Sequence, residues 1–343
     1  MSQTRIACIG LGAMGEKHLR VYHALADSQV IALSDLSCDL AGRLSAEFGG
    51  IPYYTDYREM LAREKLDAVV IAVPDAAHVA PVKDSLAAGA HVLVEKPLAT
   101  TLADADEMIR FAGECDRILM VNYSHRWVPA YFQAKKLIDS GRYGAPIMIY
   151  ARKNDPISVV KRWGWLKDST PTAFLSSHDI DLVRWFLGSE AVSVFARGHR
   201  GLLKKKLGYN TWDCIQASVQ FANGAVAVFE SSFVLPERYP TCTDSYIQLH
   251  LEAGTITMPR LSEGLEIASN ETYEYPKLGI TADFDGDVRG AFRMAGEHFL
   301  DCIRTGTAPL TDGANARQVS EIVEGVHRSL QTGQVIALPI TSR

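Results

Sequence analysis

Three groups of residues in this 343-residue chain have types and spacings that chemistry could use. The first is the turn "GLGAMG", which sets Gly10, Gly12 and Gly15 in a G-x-G-x-x-G pattern. Between a strand and a helix, such a turn lets a dinucleotide pyrophosphate approach the backbone at the helix N-terminus, against amides near Ala13 and Met14. The second is "EKP", Glu95 and Lys96 ahead of a proline. The proline disfavours the helical region for Lys96, so the lysine stays extended and projects beyond its strand. The third is "SSHDID", where His178 has Asp179 and Asp181 beside it. An imidazole ionises near neutral pH and suits a general base. The same letters also spell a helix start, with Ser176 or Ser177 as N-cap, Asp179 among first-turn acids and Asp181 one turn on from the histidine. At such a start the helix dipole favours a neutral imidazole. A glycine turn without ligand, a surface ion pair and a structural histidine are the plain alternatives.

These residues need elements to hold them. "RIACIG", "QVIALSD", "LDAVVIAVP", "GAHVLVEKP" and "RILMVNY" are apolar, strand-like runs separated by amphipathic helical stretches. Such alternation implies a doubly wound parallel sheet, with ligands beyond the carboxyl ends of the strands. Those ends carry Asp35 after the second run, Val73, Pro74 and His78 after a later one, and Glu95 and Lys96 after the next. An acid at Asp35 hydrogen-bonds the adenine-ribose hydroxyls and repels a 2′-phosphate, which favours NAD over NADP. Further on, "AVSVFARGHR", "WDCIQASVQF", "AVAVFESSF" and "SYIQLHLEAG" are long and partly alternating, with a turn at Asn223-Gly224. They predict a second sheet of different character.

The length suggests two domains. With 47% hydrophobic and 22% charged residues the composition is that of an ordinary globular protein. A net charge of -5 argues against nucleic acid or an anionic membrane as partner. The run Lys204 to Lys206 reads as a solvated loop tip. Six scattered cysteines lack C-x-x-C or Cys/His spacing, so neither a disulfide framework nor a metal site is expected. No leader or membrane-spanning run is apparent, and a cytoplasmic location is expected.

Taken together, "GLGAMGEKHLR", "AVPDAAHVAPVKDSLAAGAHVLVEKPLATTLADADEMI", "VNYSHRWVPAYFQAKKLIDSGRYG", "HDIDLVRWFLG" and the closing "GTAPLTDGANARQVSEIVEGVHRSLQTGQVIALP" resemble the glucose–fructose oxidoreductase / inositol dehydrogenase (Gfo/Idh/MocA) family over nearly the whole chain. The resemblance implies an α/β protein, with an N-terminal Rossmann domain (1–123) and a C-terminal α+β domain (124–343) built on a large, open, mostly antiparallel sheet. The helix near 313–331 is a candidate to pack back on the Rossmann domain. The resemblance further implies a homodimer or homotetramer through that sheet, and a hydride transfer between nicotinamide and a secondary alcohol of a sugar or cyclitol. It assigns the nicotinamide ribose and the reacting hydroxyl to Lys96 and the proton to His178. It places Asn122 and Arg126 in a cleft-lining segment and suggests a cis Lys96–Pro97 peptide.

In one respect the chain departs from the family. Where the pattern has an aspartate four residues before the histidine, this sequence has Phe174. His178 then works with Lys96 alone, or Asp155 enters from the strand "MIYARKNDP". Trp163, Trp165 and Tyr150 are candidates to stack on a sugar ring, or to serve only as packing. Phe174 also leaves two other functions open: a sensor that binds NAD and a sugar without turnover, and an enzyme acting on a less hydroxylated carbonyl or diol.

Overall fold

The computed structural model describes residues 3–340. The chain forms two compact units, one running to Trp127 and rejoined by residues 280–317, the other made of 128–279 and the chain from 318 onward. The first unit thus extends past the expected 123/124 division and takes a segment from late in the sequence.

In the first unit six parallel strands, β1 (Thr4–Ile9), β2 (Ser28–Ser34), β3 (Tyr53–Tyr54), β4 (Ala68–Ile71), β5 (His91–Val94) and β6 (Leu119–Val121), lie in the order β3-β2-β1-β4-β5-β6. The order reverses between β1 and β4, the point where doubly wound sheets bind dinucleotides. All four residues of β4 are buried, as expected of a parallel strand covered on both faces. Helices α1 (Ala13–Ala24), α2 (Cys38–Glu47), α3 (Tyr57–Arg63), α4 (Val79–Ala87) and α5 (Leu102–Glu114) connect the strands. Ser37, Asp56 and Thr101 cap three of them by accepting from the amides of Leu40, Arg58 and Asp104. A late helix, α10 (Ala291–Thr305), packs on α1, where a Cβ at Gly296 would stand 3.2 Å from Val21 Cγ1.

The second unit is built on β7 (Pro146–Pro156), β8 (Ala191–His199), β9 (Cys214–Phe221), β10 (Val226–Leu235), β11 (Asp244–Leu251) and β12 (Gly254–Pro259). They lie in the order β12-β11-β7-β10-β9-β8, with Ile336–Ala337 added beside β8. β7 and β10 are parallel and the other neighbours antiparallel, so the sheet is mostly antiparallel as expected. Gly224, at φ +90°, makes the β9–β10 turn. Alternation puts Ile149, Ala151, Ala217, Val219, Ala227, Phe229, Ile247 and Leu249 in the core, while Met148 and Val228 are exposed on the opposite face. Helix α8 (Ser177–Leu187) covers the buried face at β7 and β10, with α6 (Pro129–Asp139) beside it. The Lys204–Lys206 run is not a loop tip. It lies in a short helix, α9 (Leu202–Leu207), whose first amides donate to the buried carboxylate of Asp213 at 2.7 and 2.8 Å. The last helix, α11 (Gly313–Thr332), begins in the first unit, with Gly313 close against Ile109, and continues into the second.

Candidate active site

The glycine turn has the backbone its sequence requires. Gly10 takes φ +81°, and a Cβ there would meet the Ala72 carbonyl oxygen at 2.6 Å. A Cβ on Gly15 would stand 1.8 Å from the Gly10 carbonyl oxygen, so only glycine lets α1 approach the turn. Gly12 faces open space, and Ala13 and Met14 follow it as the first residues of α1, an arrangement that leaves room for a phosphate at the helix N-terminus. Asp35 joins the turn to β2: one carboxylate oxygen accepts from Leu11 N (2.7 Å), the other from Ser37 N (2.8 Å). Gly10, Gly12, Asp35, Val73 and Pro74 line one cleft of about 970 Å³ that also includes Leu36, Tyr57 and Arg58. These residues fit the adenosine and pyrophosphate portion of a dinucleotide.

Around β5 the geometry is one of buried support. Glu95 Oε1 is 3.0 Å from His18 Nε2 and accepts from Asn122 Nδ2 at 2.8 Å; Oε2 accepts from the Lys96 amide at 3.2 Å. Burial pushes the Glu95 carboxyl up, but the hydrogen bond and charge of His18, the Asn122 amide and the Lys96 ammonium more than offset it and hold Glu95 below the usual range. The Lys96–Pro97 peptide is cis. His78, expected to meet the cofactor, is buried with both ring nitrogens on backbone carbonyls. Nδ1 is 3.0 Å from Pro97 O, and Nε2 is 3.1 Å from Val73 O. It thereby ties the loop after β5 to the loop after β4. Asn122 bonds Glu95 through Nδ2 while its buried Oδ1 has no protein partner among the described residues, and the buried Arg126 donates from Nη1 to the Leu310 carbonyl at 2.6 Å.

The second unit holds the histidine. The expected helix cap at Ser176–Ser177 is displaced, because the chain is already helical from Pro171 and runs through a π-helical turn, Thr172–Ser176, into α8. Thr170 takes the capping role, its Oγ1 accepting from Ala173 N at 3.2 Å, with Pro171 as the first helical residue. Ser177 instead donates to the carbonyl of Ala173 at 2.7 Å. Half-buried His178 is therefore about two turns inside the helix, beyond the reach of its positive end. Phe174, in the π-turn, lies edge-on to Trp165 (5.5 Å between centroids, 78°) and near Phe233 (6.1 Å), against a cluster of Ile157, Val160, Leu166, Leu175 and Leu203. Trp165 also meets Trp163 edge-on and is 39% exposed. Asp155 is buried and accepts from Thr243 Oγ1 at 2.7 Å, and Asp181 is wholly buried. Tyr150 points to the opposite face of β7 and donates to Glu230 at 3.0 Å.

Two features were not foreseen. His18 sits on the buried face of α1 with Gly15, Leu19 and Tyr22, a histidine in the apolar phase of a helix. Lys153 Nζ is 2.5 Å from Asp179 Oδ1, the two side chains 3% and 1% exposed. Burial pushes Lys153 down and Asp179 up, while each charge partly restores the other. The signal was present: along β7 the core phase runs Ile149, Ala151, Lys153, Asp155. Among the described residues no helix is long and apolar enough to cross a membrane, and no cluster of His, Cys, Asp and Glu could hold a metal ion.

Comparison with known proteins extends over the same two parts. Residues 4–123 match the model of an oxidoreductase family with an NAD-binding Rossmann fold, and 131–257 match the Gfo/Idh/MocA C-terminal domain. The chain is 26% identical to a scyllo-inositol 2-dehydrogenase (NAD(+)) of Bacillus subtilis, covering 98% of this chain and 97% of that one. It shares its fold with the crystal structure of myo-inositol 2-dehydrogenase from Lactobacillus plantarum (TM-score 0.86, 21% identity, 98% and 99% covered). The same holds for scyllo-inositol dehydrogenase from Lactobacillus casei with bound NAD(H) and scyllo-inositol (TM-score 0.85, 18% identity, 98% and 99% covered). With both domain models matched in chain order over a glycine turn and cleft that fit a dinucleotide, the chain belongs to the Gfo/Idh/MocA oxidoreductase family and carries its NAD-binding Rossmann domain.

Proposed function

We propose that this protein is an NAD-dependent dehydrogenase acting on a secondary alcohol of a cyclitol, sugar or related polyol. One observation carries the reading: the cleft at the β1/β4 switch point, where Gly12 leaves room for phosphate and Asp35 stands on the wall. Kinship along 98% of the chain with a protein named as an inositol dehydrogenase supports the substrate class. Bound NAD supplies the hydride acceptor. Lys96, in the bend just after β5, holds the reacting oxygen and stabilises the negative charge that develops there. His178 takes the hydroxyl proton. Val73 and Pro74 shape the cofactor cleft, and Glu95 fixes the backbone of Lys96 through its amide. His78, Asn122 and Arg126 support these loops through the buried bonds described above. Neither the sensor nor the less-hydroxylated-carbonyl reading gains an observation of its own, because the ring of Phe174 is accounted for by its packing with Trp165 and Phe233. Assembly into a dimer or tetramer through the open face of the second sheet is part of the proposal, supported by the exposed Met148 and Val228 on that face.

The test is NADH production with a panel of inositols, sugars and diols. Turnover of at least one cyclitol or sugar is expected, and binding without turnover across the panel would refute the reading. Lys96→Ala should lower kcat on the order of 1000-fold while NAD affinity, read by fluorescence titration, stays near that of the wild type.

A further inference from the structure

The π-helical turn poses a mechanical problem for the histidine that follows it. A π-turn inserts an extra residue into the helix and offsets the angular phase of everything after it, and such turns recur at functional sites. The direction of His178 is thus offset from the phase of the turn that precedes it. The residue next to it, Asp179, is held from outside the helix by Lys153 at 2.5 Å. Lys153 is a firm anchor. It lies mid-sheet on β7, paired in register with Ser231 of β10 on one side and Ser245 of β11 on the other.

The pair is not there as filler. Its neighbours in the same phase of β7 are Ile149 and Ala151, and an apolar residue at 153 would continue the core. Withdrawing two charges from water has a penalty of several kcal/mol per ion, and apolar replacement of a buried pair is often neutral or stabilising. Among the described residues Asp179 Oδ2 is buried without a donor, and so is Ser231 Oγ, directly across from the lysine. What the pair supplies is a directional, charge-assisted bond, a constraint that apolar contact lacks. We infer that Lys153 and Asp179 are positioning residues: their bond fixes the rotation of the first α-helical turn after the π-turn, and through the backbone it sets the direction of His178. This rests on His178 being the proton-accepting group proposed above.

The test follows His178 itself, so it does not depend on turnover. Protein labelled with 13C at histidine Cε1 gives one resonance per histidine, and His178→Gln identifies the one sought. The wild type should show a single sharp His178 line. The apolar pair Lys153→Met/Asp179→Leu should keep or raise Tm yet shift and broaden or double that line, while Lys153→Arg should preserve it. Should the double variant fail to fold, Lys153→Met serves in its place. An unchanged His178 line in either folded, bond-less variant overturns the inference. With a turned-over substrate, the double variant should lose kcat by on the order of 100-fold at nearly constant KM for NAD, and wild-type kcat would equally overturn it. If the wild type oxidises nothing, the proposed activity falls while the resonance still decides the positioning role.

Discussion

Each unit buries a carboxylate beside a candidate catalytic residue, and the two are treated in opposite ways. Glu95 receives three bonds, from His18, Asn122 and the Lys96 amide, and stays more acidic than an exposed glutamate. Asp179 is as well buried but has one strong partner and one oxygen without a donor, and it becomes less acidic than usual. Burial acts in the same direction on both. The number of donors that answer it decides whether the native state favours the charged form. Glu95, before Lys96, is thus held by a distributed set of bonds, while Asp179, beside His178, leans on the bond from Lys153.

That contrast can be broken by removing one group at a time. The largest effect belongs to Asp179→Ala, which leaves the Lys153 ammonium buried without its carboxylate and should destabilise by ~3–5 kcal/mol in urea unfolding. A loss under 1 kcal/mol would show that the bond carries little. Glu95→Gln should be milder, about 1.5–3 kcal/mol, because the amide oxygen still accepts from Asn122. A larger loss than that of Asp179→Ala would reverse the comparison.

The smallest effects are in the pH dependence of stability, and their signs differ. Folded Glu95 releases its proton more readily than the unfolded chain, so its contribution is present above the unfolded value near 4.5 and is lost as pH falls through the lower folded value. Folded Asp179 holds its proton longer, so its contribution is full below the unfolded value near 3.8 and declines as pH rises toward the folded one. Unfolding free energies across the acid range should therefore flatten in opposite senses for Glu95→Gln and Asp179→Asn, and parallel changes would mean that one sign is wrong.

What the sequence disclosed follows from the kind of constraint involved. The glycine turn was legible because Gly10 and Gly15 answer to backbone sterics alone, which the residue type states directly. The continuous apolar runs of β1, β4 and β5 and the alternation of β9 to β11 were legible for the same local reason. The two-residue β3 was too short to leave a pattern, and the parallel pairing of β7 with β10 joins residues some eighty positions apart. The boundary of α8 at the two serines was right, but the capping role was not theirs, because a π-turn precedes them and Thr170-Pro171 supplies the cap and the first helical residue. His78 lies between β4 and α4 as expected, but which way its ring nitrogens turn depends on carbonyls of its own loop and of the loop after β5. Lys153 was hidden by expectation, since a lysine in a strand is usually assigned to the solvent phase.

The chain passes from one unit to the other three times, at 127/128, 279/280 and 317/318. The sequence from Met1 to Trp127 therefore looks like a transferable cofactor module, yet it is an incomplete one. A gene fragment ending there would strip α10 from α1, uncovering the Phe292 contact on His18 and the close seat of Gly296 on Val21 and Tyr22. Inheritance, recombination and protein engineering must treat this Rossmann half as two separate stretches of gene that have to be kept together.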